Sequence, residues 1–361
     1  MPRTISDPSS PTPMSSMFHA PREHTYRPAW WVPGPHAQTL WGKFARRRPP
    51  LPTRMVRWST PDGDFIELLR LDAGPDRPRL FMLHGLEGTV HSHYVSGLFH
   101  MARSRDWGAD LLLFRGCGSS PNHAARFYHS GETTDLAFAV NRVLEEFPTA
   151  PVLLCGVSLG GNVLLKWLGE RGDSLPSRVR AAATISVPYD LERGSRHISR
   201  GFARVYERHF LRTLRRKAQE KLTRYPGLFD AEAMRGARTL YDFDDIVTAP
   251  VHGFRDAHDY YTRSSSLPFL TRIRRPVLLL SAADDPFLPG AVLREVRATA
   301  RDNPFLTLDF PQRGGHVGFV AGVPWRPTYY AEQRAGDFLQ SALEERADIG
   351  NGSRVVSGGS R

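Results

Sequence analysis

The chain has 361 residues, 40 % of them hydrophobic and 24 % charged, and a formal net charge of +11. This composition is typical of a globular protein, and no apolar run reaches the roughly 18–20 residues that a membrane-spanning helix needs. The first residues lack a continuous apolar segment, and only Cys117 and Cys155 are cysteines. We therefore predict a cytoplasmic protein without a disulfide framework, although one bridge between the two cysteines stays open.

Arginine supplies most of the positive charge, because lysine occurs at only four positions. The densest clusters, Arg46–Arg48 and Arg212–Lys217, are not interleaved with the aromatic residues of a single-strand binding surface. We expect no nucleic-acid partner. Weak contact with an anionic membrane remains open.

Three regions are predicted along the chain. Residues 1–24 are rich in proline and serine and indicate a flexible arm, and residues 346–361 resemble a flexible polar tail. Residues 25–345 are predicted to form one continuous globular domain.

Within that domain, strand and helix patterns alternate. Residues 56–59 and 65–71 flank a Pro-Asp-Gly-Asp turn signal at 61–64, which predicts a hairpin. Short apolar runs predict strands at Leu80–Leu83, Leu111–Phe114, Val152–Cys155, Ala182–Ser186, Pro276–Leu280 and Leu306–Phe310, and the runs at 80–83, 111–114 and 277–280 are predicted to be buried. Helices are predicted at Thr133–Glu146, Gly161–Gly169 and Ala291–Ala300. This alternation predicts an α/β fold with a mostly parallel central sheet flanked by helices.

Residues 190–265 interrupt the alternation. Apolar residues recur there at helical spacing with arginines between them, at Phe202, Val205, Tyr206, Phe210, Leu211 and Leu214. We interpret the segment as a helical cap insertion over the active site. Two alternatives are extra helices packed on the sheet edge and a basic amphipathic surface for membranes.

A serine between glycines follows the strand Val152–Cys155 in the run Gly156-Val157-Ser158-Leu159-Gly160. A side chain at Gly156 or Gly160 would collide with the adjacent strand and helix, and the tight turn lifts the hydroxyl above the sheet. This arrangement is typical of a nucleophile, the role that we predict for Ser158. The alternative is a glycine-rich turn with a structural serine.

A serine hydroxyl needs a base to accept its proton, and in such sheets the acid and then the base follow the serine along the chain. His316, in a glycine-rich loop after the strand at 306–310, is the predicted base. Asp284 and Asp285 both follow the strand at 276–280. We predict Asp285 as the acid, because a residue before proline is extended and its carboxylate would reach back to the imidazole. Asp284 is the alternative.

Two backbone amides are needed to bind the oxyanion of a tetrahedral intermediate. We predict the amide of Leu159, directly after the serine, and that of Leu86 in the loop His84-Gly85-Leu86-Glu87-Gly88. Gly85 would let the backbone approach, and His84 would shape the loop.

No metal or organic cofactor is expected. His84, His91, His93 and His100 match no zinc signature and have no cysteine partner. Cys117, at a strand end, is interpreted as a small apolar residue, and the alternative is that it lines the pocket.

Several motifs together extend over about residues 30–335. They are Pro35-His36-Ala37-Gln38-Thr39-Leu40, Pro61-Asp62-Gly63-Asp64-Phe65, His84-Gly85-Leu86-Glu87-Gly88, Phe114-Arg115-Gly116-Cys117, Tyr128-His129-Ser130-Gly131-Glu132-Thr133, the serine turn continued by Gly161-Asn162, Tyr241-Asp242-Phe243-Asp244-Asp245, Asp284-Asp285-Pro286-Phe287 and Gly314-Gly315-His316-Val317-Gly318-Phe319. In this order they resemble the YheT-like branch of the α/β-hydrolases, bacterial relatives of the animal abhydrolase-domain lipases.

The resemblance implies an α/β-hydrolase fold, a Ser158/Asp285/His316 triad and the hydrolysis of carboxylic esters with short, medium or lipid-like acyl groups. The run Gly118-Ser119-Ser120-Pro121-Asn122 departs from the family's Ser-Gly-Glu-Pro-Asn, so the substrate near this loop is left open. Two alternative functions remain: an acyltransferase on the same fold and a non-catalytic binding scaffold.

Overall fold

The computed structural model describes residues 25–352, and it describes side-chain surroundings as far as residue 345. The predicted arm, residues 1–24, and residues 353–361 of the predicted tail lie outside the described residues. The backbone of residues 346–352 continues the last helix, which therefore extends past the predicted start of the tail.

The strands of the described region are β1 (Thr53–Ser59), β2 (Phe65–Leu71), β3 (Arg79–Leu83), β4 (Gly108–Leu113), β5 (Val152–Val157), β6 (Val179–Ile185), β7 (Val277–Leu280), β8 (Leu306–Asp309), β9 (Val320–Val323) and β10 (Arg326–Tyr329). The first eight form one sheet in the order β1-β2-β4-β3-β5-β6-β7-β8. β2 is antiparallel to both β1 and β4, and every later neighbour is parallel. β9 and β10 pair as a separate antiparallel ribbon.

The α-helices of the described region are α1 (Gly34–Phe44), α2 (His93–Ser104), α3 (Thr134–Glu146), α4 (Leu159–Arg171), α5 (Leu191–Ile198), α6 (Arg204–Arg224), α7 (Ala231–Gly236), α8 (Leu240–Phe243), α9 (Ala249–Val251), α10 (Ala257–Ser264), α11 (Gly290–Ala300) and α12 (Tyr330–Gly352). A π-helical turn, Asp244–Thr248, joins α8 to α9. Short 3₁₀ turns lie at Gly172–Ser174, Gly201–Ala203 and Leu267–Arg272.

β5 shows how the sheet separates two apolar layers. Val152 and Leu154 pack in the layer that contains residues of α3, α4 and α11. Cys155 and Val157 pack in the layer that contains residues of α2 and α12. Because helices cover both faces, all six residues of β5 are buried, and the strand is apolar throughout instead of alternating.

The structure confirms the predicted hairpin and all six predicted strands, with ends shifted by at most three residues; β8, at the edge of the sheet, is only half-buried. α3, α4 and α11 correspond to the predicted helices. The mostly parallel sheet with helices on both faces is therefore the α/β architecture expected from the sequence. Both cysteines are buried free thiols, so no bridge joins them.

The segment between β6 and β7 is helical and contains α5 to α10. It has an apolar cluster of its own that includes Leu211, Phe243 and Val247. Among the residues whose spacing predicted a helix here, Phe202 and Val205 are exposed. The helical spacing therefore predicted a helix that begins too early, since Phe202 lies in the 3₁₀ turn before α6. In the described residues, no helix is both long and apolar enough to cross a membrane.

Candidate active site

Ser158 lies in the turn between β5 and α4 with φ 54° and ψ −123°, a conformation that residues with a side chain rarely adopt. Its glycine neighbours have no space for a side chain. A Cβ on Gly156 would lie 2.6 Å from Gly161 Cα, and a Cβ on Gly160 would lie 2.5 Å from the His84 carbonyl oxygen. The turn is thus pressed between α4 and the end of β3, the steric situation that the sequence predicted.

The side chains of Ser158, His316 and Asp285 form one hydrogen-bonded row. His316 Nε2 lies 2.9 Å from Ser158 Oγ. His316 Nδ1 lies 2.9 and 3.1 Å from the two Asp285 carboxylate oxygens. When Nδ1 donates to the carboxylate, Nε2 of the neutral ring is free to accept the serine proton. Asp285 and His316 are both buried, so little water competes for these bonds.

The neighbouring carboxylate, Asp284, has a different contact. Its Oδ1 accepts the Gly315 amide over 2.9 Å, which holds the backbone just before His316. Burial and the adjacent Asp285 charge raise the Asp284 pKa. Of the two candidate acids, the structure therefore brings Asp285 to the imidazole and Asp284 to the loop.

Phe287 is a site residue that the sequence patterns did not indicate. Its ring stacks on the His316 imidazole, with centroids 4.1 Å apart and planes at 28°. Its amide donates to Asp285 Oδ1 over 2.8 Å. One residue therefore restrains both ring and carboxylate. The Asp-Pro-Phe run was visible in the sequence, but nothing local indicated which ring the phenylalanine would meet.

Helix α1 holds the histidine loop from the other side. Thr39 Oγ1 accepts the His316 amide over 2.9 Å. Gly315 has φ 61°, and a Cβ there would lie 2.4 Å from the Pro35 carbonyl oxygen. Gln38 is buried and binds the backbone of Val320 through both ends of its amide. The motif at 35–40 thus contributes contacts that position His316.

The two predicted oxyanion donors lie beside Ser158. Leu86 and Leu159 both line the cavity that contains its hydroxyl. A Cβ on Gly85 would lie 3.1 Å from Ser158 Cβ, so the loop backbone approaches the serine closely. Within the described residues, neither the Leu86 nor the Leu159 amide donates to a protein acceptor. Three other amides of this loop donate to protein acceptors. The Gly85 amide donates to the Tyr94 hydroxyl, the Glu87 amide to the Tyr128 hydroxyl, and the Gly88 amide to the Gly85 carbonyl.

His84 is a structural part of the same loop. It is fully buried, its Nδ1 lies 2.7 Å from the Gly85 carbonyl, and its Nε2 accepts the Phe114 amide over 3.1 Å. Burial lowers its pKa to about 4, so the ring is neutral near pH 7 with both nitrogens engaged. This agrees with the predicted shaping role.

Two openings meet at Ser158 and His316. The inner cavity has a volume of about 120 Å³ and is walled mainly by apolar side chains of the insertion, namely Leu191, Ile198, Phe210, Leu214, Leu240 and Phe243. The outer cleft runs between α1 and α6. Leu86, Phe210 and Phe287 border both spaces. The helices of the insertion therefore enclose one side of Ser158, while the outer cleft leaves the other side open.

The inner cavity also has a polar wall. Asp244 there accepts hydrogen bonds from Thr248 Oγ1 over 2.5 Å and from Tyr261 Oη over 2.6 Å. Burial raises the Asp244 pKa to about 6. The aspartate and the threonine are the two ends of the π-helical turn, a local geometry that the sequence pattern did not predict.

Cys117 does not line either space at Ser158. It lies in a neighbouring cavity with Lys217 and Lys221, and burial raises its pKa to about 11. The pocket contact considered from the sequence is therefore wrong, because the strand end turns the thiol toward α6. In the part of the chain that the structure describes, no group of three or more His, Cys, Asp or Glu side chains could hold a metal ion.

Comparisons with known proteins extend these observations. A family model for the alpha/beta hydrolase fold matches residues 78–320. Esterase YheT of Escherichia coli is 38 % identical over 317 residues, which cover 86 % of this chain and 92 % of that protein. Phospholipase ABHD3 of Mus musculus is 30 % identical over 336 residues, 91 % of this chain and 81 % of the relative. A Pyrococcus furiosus esterase structure shares the fold at 17 % identity, with a TM-score of 0.53 over 81 % of this chain and 91 % of the other.

Proposed function

The chain belongs to the YheT-like branch of the alpha/beta hydrolase family, and we propose that it hydrolyses carboxylic esters through an acyl-enzyme on Ser158. The observation that carries the proposal is the continuous row from Asp285 through His316 to Ser158 Oγ, with no contact longer than 3.1 Å. A buried row of this kind makes a serine hydroxyl nucleophilic near neutral pH.

The proposed reaction has two halves. His316 Nε2 accepts the Ser158 proton while Oγ forms a bond to the ester carbonyl carbon, and the Leu86 and Leu159 amides donate to the resulting oxyanion. The carbon–oxygen bond to the alcohol then breaks, and His316 returns the proton to the leaving alkoxide. In the second half, water loses a proton to His316 and attacks the acyl carbon, the bond between that carbon and Ser158 Oγ then breaks, and His316 returns the proton to Oγ as the acid leaves. Asp285 holds the ring and stabilises its protonated form.

We expect a short acyl group to be the part of the ester that enters the inner cavity. Its volume, about 120 Å³, is slightly below the roughly 150 Å³ of an engineered apolar cavity that binds benzene. Its mainly apolar walls favour an acyl chain over a polar alcohol. The alcohol part would then lie in the outer cleft, which places no comparable limit on its size. A small-molecule ester is therefore the proposed substrate, and no cofactor is required.

The test is turnover of a nitrophenyl ester series with two to twelve acyl carbons, in the full-length chain and in Ser158→Ala. We expect the wild-type protein to prefer the short members and the variant to lose at least about 10³-fold in kcat while keeping its circular dichroism spectrum. A fluorophosphonate probe should label the wild-type chain only. Retained turnover in the variant would reject Ser158 as the nucleophile.

The same assay separates the acyltransferase alternative, because addition of an alcohol or amine acceptor would then divert the acyl product from the free acid. A chain that takes up neither substrate nor probe would be a binding scaffold. The cytoplasmic location predicted from the sequence stays a prediction.

A further inference from the structure

Exposed apolar side chains gather at the mouth of the outer cleft. In the described region, three of the large exposed hydrophobic residues border this one cleft. Phe44 at the end of α1 is 75 % exposed, Phe202 in the 3₁₀ turn before α6 is 53 % exposed, and Val205 at the start of α6 is 52 % exposed. Single exposed apolar residues are ordinary, whereas a group around a cleft marks an interaction surface.

The two sides of the mouth are continuous. Lys43 Nζ of α1 lies 3.2 Å from His209 Nε2 of α6. The His36 ring of α1 lies 4.5 Å from the Phe202 ring, centroid to centroid. These contacts join α1 and α6 into one surface, which we call the rim: residues 43–48 together with the exposed side chains of residues 202–212.

The charge of the rim is positive. Its exposed cations are Lys43, Arg47, Arg48, Arg204, Arg208 and Arg212. Between residues 34 and 53 the sequence has no Asp or Glu, and between 200 and 216 it has only Glu207. Glu207 is buried and accepts hydrogen bonds from the Ser199 hydroxyl and the Leu240 amide. No carboxylate of these two stretches therefore offsets the exposed cations.

We propose that the rim docks onto an anionic lipid surface. Phe44, Phe202 and Val205 would enter the boundary between headgroups and acyl chains, and the arginines would lie against the lipid phosphates. Exposed apolar groups beside a cationic face are the combination that favours such binding. The inference extends the proposed ester hydrolysis by naming the source of its substrate: an ester would pass from the lipid layer into the outer cleft, at whose inner end Ser158 lies.

Nucleic acid is a poorer match to the same surface. A strand-binding groove uses a row of aromatic rings on which bases stack. Here the exposed apolar groups include an aliphatic valine, and the two exposed phenylalanines belong to different elements, Phe44 to α1 and Phe202 to the turn before α6.

The experiment measures co-sedimentation of the full-length chain with vesicles of ether-linked lipids, which a hydrolase cannot cleave. One vesicle is pure phosphatidylcholine and the other also contains phosphatidylglycerol. We expect binding to the anionic vesicle only, weakened by salt. Arg47, Arg204 and Arg208 are outside the cleft lining, so the variant R47E/R204E/R208E should lose at least about tenfold in partition coefficient and retain turnover of a soluble short ester.

The matched control is R171E/R294E/R301E, which changes three exposed arginines in or directly after the sheet-flanking helices α4 and α11 and alters the net charge equally. The partition coefficient of this control variant should fall by less than about twofold. Phe44→Ser with Val205→Ser should also weaken binding, without removing its salt dependence. An equal loss in both arginine variants would assign the binding to overall charge and overturn the proposal. The proposal is also overturned if the wild-type protein does not bind anionic vesicles, or if it binds duplex DNA and no vesicle.

The outcome is separable from that of the proposed chemistry. Ser158→Ala should bind the vesicles as the wild-type chain does, whatever its turnover. If the wild-type chain hydrolyses the soluble ester but does not bind vesicles, lipid docking by the rim is rejected and the proposed hydrolysis is unaffected.

Discussion

Lys217 of α6 lies against Glu87 of the loop that carries the Leu86 amide, with Nζ 2.8 Å from Oε1. The Tyr128 hydroxyl donates to the same oxygen and accepts the Glu87 amide. Glu87 itself has φ 53°, a conformation that needs support from its surroundings. The insertion is thus attached directly to the backbone that we propose as half of the oxyanion hole.

Lys217→Met should impair turnover more than substrate binding. The change leaves the Glu87 carboxylate, whose side chain is 6 % exposed, without its cation, and the loop loses the contact that holds it. We expect kcat for a soluble ester to fall about tenfold, KM to change less than about twofold, and the free energy of unfolding to fall by about 2 kcal/mol. Steady-state kinetics and urea denaturation measure these quantities.

Lys221→Met is the control for that prediction. Lys221 lies one turn further along α6 and donates to the Asn122 and Ala124 carbonyls, away from Glu87. It should lower stability and leave kcat near the wild-type value. If both variants lose kcat equally, attachment of α6 in general matters, and the Glu87 contact has no special role.

Asp285→Asn should lower kcat by about 10³- to 10⁴-fold, because an amide cannot both accept the Nδ1 proton and stabilise the protonated ring as a carboxylate does. Asp284→Asn should lower kcat by less than about tenfold, since the amide oxygen of the new asparagine can still accept the Gly315 N–H. Parallel kinetics of the two variants test the choice between adjacent carboxylates. A larger loss at Asp284 would exchange their roles.

Gly160→Ala should destabilise the fold by about 1–3 kcal/mol, because its Cβ would lie within 2.6 Å of the carbonyl oxygens of both Leu83 and His84. Gly236→Ala is the matched control, since no atom lies within 4 Å of a Cβ at that position. At the end of α7 it should be neutral or slightly stabilising. Chemical denaturation compares the two, and equal effects would contradict the packed turn.

Asp244 predicts a specific dependence of stability on pH. Its pKa is raised by burial from 3.8 to about 6, so between these values the folded chain keeps a proton that the unfolded chain has lost. The free energy of unfolding contributed by this group therefore falls as pH rises from about 4 to 6. The difference in that free energy between wild type and Asp244→Asn should decrease across this window, by about 3 kcal/mol at most. Denaturant titrations at several pH values measure it, and a difference independent of pH would contradict the raised pKa.

Much of the fold could be predicted from local sequence. Parallel strands covered on both faces need largely apolar runs, and polar residues, glycine or proline follow those runs, so β3 to β8 were visible as separate strands. The serine turn was visible as a local glycine pattern, although only the contacts of Gly156 come from neighbouring residues, whereas Gly160 meets the backbone of Leu83 and His84 at the end of β3. α1 was not predicted, since it contains two glycines and a proline within eleven residues and therefore has weak helix propensity.

The residue types that follow each strand could be read from the amino-acid order alone: a serine after β5, two aspartates after β7 and a histidine after β8. A parallel sheet brings such residues to one edge whatever their separation along the chain. Which of these side chains touch was settled only by the packing of the folded chain. Asp285 reaches His316 because the Phe287 amide and ring restrain both groups, and the Thr39 hydroxyl holds the His316 amide across 277 positions of chain. Contacts of that range depend on how whole elements pack, and no local pattern contains that information.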